Sequence, residues 1–319
     1  LNSAPKISTK NAMIFIAICA IPFLFVYPGD SADTFANIWY AKRVVDLGEN
    51  PYVTSYVYET YQDIQTVLPP TSDSPLLPYG PLWLGFQSSI YFVTKSLSLI
   101  PMLFTFKLIQ LTGVLLTAFF CTKLGSLFAK PDQANIVTTV VFASPFMLLG
   151  FVGNGHSDIW LALCLVISFY LLFKERILLG LFMFTASVLV KYISLIFAPF
   201  IILYLWHRYR RGVLNDLAVW GVFSSFVGLL FAWKLNILQG VFAQAGITSF
   251  SLVQIVDVLS SNPDDAMLVK SIMFVVFVLG YLLLLITGRF KETLDTPEKL
   301  LKTLLAITAL FFLFFIHLW

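Results

Sequence analysis

A handful of side chains in this sequence are of types that do proton and phosphate chemistry and stand where long apolar stretches break. Asp30 and Asp33 follow the first apolar run, His156 and Asp158 lie in Asn154-Gly155-His156-Ser157-Asp158, Tyr79 precedes Gly80-Pro81, and Lys191 interrupts an otherwise apolar stretch from Ile177 to Trp206. A carboxylate can take a proton from a hydroxyl, and a cation can hold a developing oxyanion. Each residue also has a plainer use. Asp33 can cap a helix, Asp30 after Pro28-Gly29 can serve a turn, and Asp158 can N-cap the helix that follows it. Lys191 costs about 2.5–3.5 kcal/mol at bilayer depth unless it snorkels or finds a partner. It can be a loop lysine at the interface, or pair with Asp158.

The elements that must position these residues are membrane elements. Of 319 residues 59% are hydrophobic and only 12% charged, about half the roughly 25% of a soluble domain. Phe alone contributes 32 residues, and the mean hydropathy is +0.87. A net charge of +3, from 20 basic and 17 acidic residues, offers no basic excess for nucleic acid. Cys19, Cys121 and Cys164 all fall inside apolar runs, as buried thiols do, rather than forming a disulfide framework or a metal site.

Apolar runs cover approximately 12–26, 81–100, 102–122, 136–152, 159–173, 177–190, 192–206, 213–233, 267–287 and 300–319. Lys and Arg favour cytoplasmic loops. Placing Lys6/Lys10, Lys123/Lys130, Lys174/Arg176, Arg208/Arg210/Arg211 and Arg289/Lys291/Lys299/Lys302 on one side requires one run before Lys123 not to cross. The run 81–100, opening Pro-Tyr-Gly-Pro and carrying Gln87 and Lys95, is assigned as interfacial or re-entrant. The expectation is a single all-α transmembrane domain over 1–319, of about nine spanning helices with the N-terminus inside. Its outer face then carries a loop 28–80, the break 153–158, the turn at Lys191 and a second loop 234–266. That second loop is either a mobile element closing over a substrate or a plain connector. In the first loop Ser31 or Asp33 can start a helix and Gly48 can stop it. Phe35, Ile38 and Trp39 give that helix an apolar stripe suited to the membrane surface. Tyr52, Tyr56, Tyr58 and Tyr61 suit stacking on a sugar, and equally an interfacial aromatic belt.

In order, an Asp at the start of a surface helix, Gly48-Glu49-Asn50-Pro51-Tyr52, Tyr79-Gly80-Pro81-Leu82, His156-Ser157-Asp158, and Lys191 with Pro199 resemble the GT-C superfamily of integral membrane glycosyltransferases. The polyprenyl-phosphomannose-dependent mannosyltransferases are the nearest in pattern. Ser157 stands where the family motif has Asn, and after Pro199 only a general pattern of helices is shared. The resemblance implies a GT-C-like bundle that moves a sugar, mannose in particular, from a polyprenyl-phosphate donor to a hydroxyl of a glycan or glycolipid acceptor, with inversion. It implies Asp33 as general base, with Asp30 as local competitor, and Lys191, His156, Asp158 and Tyr79 at the donor phosphate or sugar. No cofactor or metal is expected to be required, although some related families use divalent ions. The expected setting is a bacterial or archaeal plasma membrane, with the site on the extracytoplasmic side. The competing readings are a transporter or flippase for a lipid-linked sugar and a non-catalytic subunit of a glycosyltransferase complex.

Overall fold

Among the described residues all regular secondary structure is helical, as hydrocarbon demands of a backbone that must bond to itself. The structure is a computed structural model and describes residues 7–28, 33–54, 76–236, 263–290 and 294–314. Asp30, the middle of the first loop and most of the second loop lie outside the described residues. The chain divides into two compact units, Leu1–Ser194 and Leu195–Trp319.

In the first unit α1 spans Thr9–Phe25, with Ser8 accepting a hydrogen bond from the amide of Asn11 as its cap. Helix α2 is Asp33–Leu47 and ends at Gly48, whose φ of 65° suits a residue without Cβ. Helix α3, Pro81–Thr94, has 14 residues, or about 21 Å at 1.5 Å per residue. That is too short for a hydrocarbon core of about 30 Å, and the turn at 95–98 separates it from α4, Leu99–Gly125. The apolar run 81–100 is therefore a short helix and the beginning of the next one.

Helices α2 and α3 run side by side in the same direction. Asn37 accepts from the Trp83 indole at 3.0 Å, and farther along Asp46 accepts from Tyr91 at 2.7 Å and Lys95 at 3.2 Å. Helix α5, Pro131–Phe142, bends by 60° into α6, Pro145–Leu148. The cause is local: Pro145 lacks an amide proton, and Ser144 caps the new start by accepting from the amide of Met147. A π-helical turn, Leu149–Gly153, follows and leads to α7, Asp158–Phe173, and α8, Ile177–Val190. Ile16, Ala20, Val114, Ala118, Phe142, Leu148, Val152 and Ile159 form a common core. Into it Lys107 of α4, 2% exposed, sends its ammonium to the carbonyls of Phe23 and Val26. A cation there complements the C-terminal end of the α1 dipole.

In the second unit α9, Ala198–Tyr209, precedes α10, Leu214–Leu235, α11, Pro263–Phe290, and α12, Pro297–Phe314. Phe200 meets Tyr281 edge to face at 5.2 Å, and Phe277 meets Phe311. Helix α10 buries no residue, and Trp233 on it is 81% exposed. Apolar surface of that kind belongs in lipid.

By length and apolarity the helical stretches Leu99–Gly125, Tyr192–Leu235 and Ser271–Arg289 can cross a membrane, and the bent pair Pro131–Gly153 makes a fourth. The other apolar helices, Thr9–Phe25, Asp158–Phe173 and Ile177–Val190, have 17, 16 and 14 residues. They fall short of the roughly 20 needed for an upright span, so among the described residues length alone does not deliver nine.

Candidate active site

The break between the π turn and α7 is the centre of the site. Asn154 donates its amide to Leu149 O, 2.8 Å, and His156 to Gly150 O, 3.3 Å. Gly155 between them takes φ 76°. This irregular turn lets His156 and Asp158 serve different partners although they are only two residues apart.

His156 Nδ1 lies 2.5 Å from Asp33 Oδ2, on the first residue of α2. The two side chains are 26% and 24% exposed, so the pair borders solvent. Burial pushes the His156 pKa down, but the hydrogen bond and charge of Asp33, with a further contribution from Asp158, outweigh it against an opposing Lys191. The net shift is upward, toward the imidazolium. Asp158, the first residue of α7 with Ser157 as its cap, accepts from Lys191 Nζ at 2.8 Å. The ion pair open to Lys191 in the sequence is thus formed. Lys191 itself is the C-cap of α8, in extended conformation.

Tyr79 lies between the two pairs. Its ring centroid is 5.7 Å from Lys191 Nζ. Burial chiefly, then the charges of Asp33 and Asp158, raise its phenol pKa well above the ordinary value, so it remains a hydrogen-bond donor. The strand of loop that carries it is stapled to the end of α8. Gly80 donates its amide to Val190 O at 2.8 Å, an approach at which a Cβ on Gly80 would meet the Leu189 carbonyl. Tyr52 and Tyr192 both donate to Tyr79 O, at 2.9 and 3.4 Å.

The Gly48-to-Tyr52 turn is itself fixed. Asn50 Oδ1 accepts the Tyr52 amide at 3.0 Å, and the wholly buried Arg43 binds Glu49 at 2.8 Å and Thr54 O at 2.8 Å. Two more bonds reach the central turn, from Thr34 Oγ1 to Asn154 O, 2.7 Å, and from Gln110 Nε2 to Gly155 O, 3.0 Å.

Asp33, His156, Asp158, Lys191 and Tyr79 are therefore brought together, and Asp30 lies outside the described residues. Sequence reasoning passed over Thr34, Arg43, Lys107 and Gln110. Lys107 and Gln110, polar groups one helical turn apart inside an apolar run, were the available signal; nothing in the sequence separates Thr34 or Arg43 from ordinary helix surface. Among the described residues no three His, Cys, Asp or Glu side chains stand where they could share a metal ion.

The arrangement offers a carboxylate at a solvent border, two cationic or protonatable groups within one cluster, and an aromatic wall. It can accept a proton and stabilise an anion in the same place. A family model, alpha-(1->6)-mannopyranosyltransferase, N-terminal domain, matches residues 1–207, which include every residue of this cluster. No curated protein and no solved structure matches the chain.

Proposed function

The chain belongs to the alpha-(1->6)-mannopyranosyltransferase family, and we propose that it transfers mannose from a polyprenyl-phosphate donor to an acceptor hydroxyl, with Asp33 as general base. The observation that carries this reading is the 2.5 Å contact of Asp33 with His156 beside the Lys191–Asp158 pair, in one partly exposed cluster. In the proposed step the acceptor oxygen attacks the anomeric carbon and its proton passes to the Asp33 carboxylate. The bond from that carbon to the phosphate oxygen breaks, and its electron pair leaves with the phosphate. A single displacement inverts the anomeric centre.

The leaving phosphate gains a negative charge as the bond breaks, so cations nearby act more strongly on the transition state than on the ground state. Lys191 and protonated His156 fill that role in this reading, and Tyr79 supplies a phenol donor and a stacking face. A phosphate needs no protonation to depart, so no second acid is required. The acceptor is a glycan or glycolipid, and the site faces the extracytoplasmic side of a bacterial or archaeal plasma membrane, opposite the basic clusters.

The test is transfer by the purified protein from a polyprenyl-phosphate mannose donor. Asp33→Asn is expected to lower turnover by about 10³-fold while the thermal midpoint in detergent stays close to that of the unaltered chain. Full activity in that variant would end the base assignment.

A further inference from the structure

Asp33 and His156 are 123 positions apart in sequence, one at the start of a helix and the other on an irregular turn. Their own short side chains do not fix the distance between those elements. Two buried hydrogen bonds do. Thr34, next to Asp33 and 1% exposed, donates to Asn154 O at 2.7 Å. Gln110 of α4, 3% exposed, donates to Gly155 O at 3.0 Å, and its own oxygen is held by the Trp160 indole at 3.0 Å.

The two accepting carbonyls are consecutive and come immediately before His156. They are gripped from opposite partners, α2 and α4. Gly155 allows the grip: at φ 76° it is in the left-handed region, and a Cβ there would run into the Thr34 hydroxyl. Because Asp33 and Thr34 are neighbours on one helical turn, the Thr34 bond sets how near the carboxylate comes to the imidazole. Misplacement by about 1 Å can cost on the order of 10²-fold in rate.

We propose that Thr34 and Gln110 are positioning residues that clamp the Asn154-Gly155 turn and thereby hold His156 in register with Asp33. The inference rests on the transfer reaction proposed above, with Asp33 as base. Neither residue touches the reacting atoms. A role confined to packing would lower the thermal midpoint, since a buried hydrogen bond is lost, yet leave the state of His156 and the turnover per folded molecule alone.

The experiment compares Thr34→Val, which keeps shape and removes the donor, with Thr34→Ser, which keeps the donor, and with Gln110→Met. Transfer from polyprenyl-phosphate mannose is measured on detergent-purified full chain, alongside ¹⁵N titration of His156, assigned by its loss in His156→Gln. Thr34→Val and Gln110→Met are expected to lower kcat by about 10- to 100-fold with the donor KM within about twofold, and to move the His156 titration toward that of a free imidazole. Thr34→Ser is expected to restore both. Unchanged kcat and His156 titration in Thr34→Val and Gln110→Met overturn the proposal, as does a Thr34→Ser protein that behaves like Thr34→Val. Absence of transfer by the unaltered chain would remove the functional reading, while the His156 titration would still decide whether the clamp exists.

Discussion

A general base, the role proposed for Asp33, has to be aimed at the acceptor hydroxyl and still be reachable by its proton, and the surroundings of Asp33 address both needs. His156 Nδ1 at 2.5 Å holds the carboxylate in one orientation, and the partial exposure of the pair leaves the site accessible. The same contact has a pH signature. Burial lowers the His156 pKa, and Asp33 more than reverses this, so the folded value lies above the ordinary 6.5. A raised folded pKa contributes stability that is fully present below the unfolded value and is lost as pH rises through the folded one. The unaltered chain should therefore outlast His156→Gln in thermal unfolding near pH 6, with the advantage declining as pH rises beyond 6.5 through the folded value. A pH-independent difference between the two proteins would contradict the pairing. Asp33 and His156 were both legible as candidates from their types and places in the sequence. Their contact was not, because no sequence spacing relates a helix start to a turn more than a hundred residues later.

At the scale of elements the site depends on chain segments being tied to helix ends rather than on any one helix. Helix α2 leaves the cluster at Asp33, the turn at Gly48 reverses the chain, and Tyr79-Gly80 is at the cluster again before α3 departs alongside α2. The Gly80–Val190 bond is the join between this loop and the end of α8, where Lys191 sits. Gly80→Ala adds a methyl where the Leu189 carbonyl already lies, so the loop must separate from α8. Because Tyr79 and Lys191 then move apart, the variant should raise the donor KM by about tenfold, roughly 1.4 kcal/mol of lost binding. A KM equal to that of the unaltered chain would show that the staple does not shape the donor site. Several of these element ends were readable: Gly48 as a stop, Asp158 at the opening of a helix, and the boundary after Val190. The division was misplaced because Pro101 reads as the break between the runs 81–100 and 102–122, whereas the new helix begins at Leu99 and holds Pro101 in its first turn, where no amide proton is needed. The bend at Ser144-Pro145 was hidden because the run 136–152 registers apolar character and not the missing amide of proline.

For the whole molecule, the family match over 1–207 and the first compact unit, Leu1–Ser194, cover nearly the same stretch, and that stretch carries the full cluster. The second unit supplies apolar helices, with α10 presenting no buried face. The proposed sidedness makes its own prediction. A membrane-impermeant maleimide applied to intact cells should label Val53→Cys, an exposed position beside the Pro51-Tyr52 turn, and should spare Ala129→Cys, exposed beside Lys130, until the membrane is opened. The reverse pattern would invert the topology. Composition by itself determined the membrane class, since 12% charge leaves too little polar surface for a water-facing bundle of this length. The order of short motifs likewise determined the family, which the match over 1–207 shows. What only the tertiary structure decided is which charge meets which: Asp33 with His156, Asp158 with Lys191, and Lys107 with the end of α1. These pairings depend on how a bent helix, a π turn and a glycine in the left-handed region carry the backbone. The bend itself is set locally by Ser144-Pro145, but which distant segments it brings together follows from packing, which neither composition nor periodicity encodes.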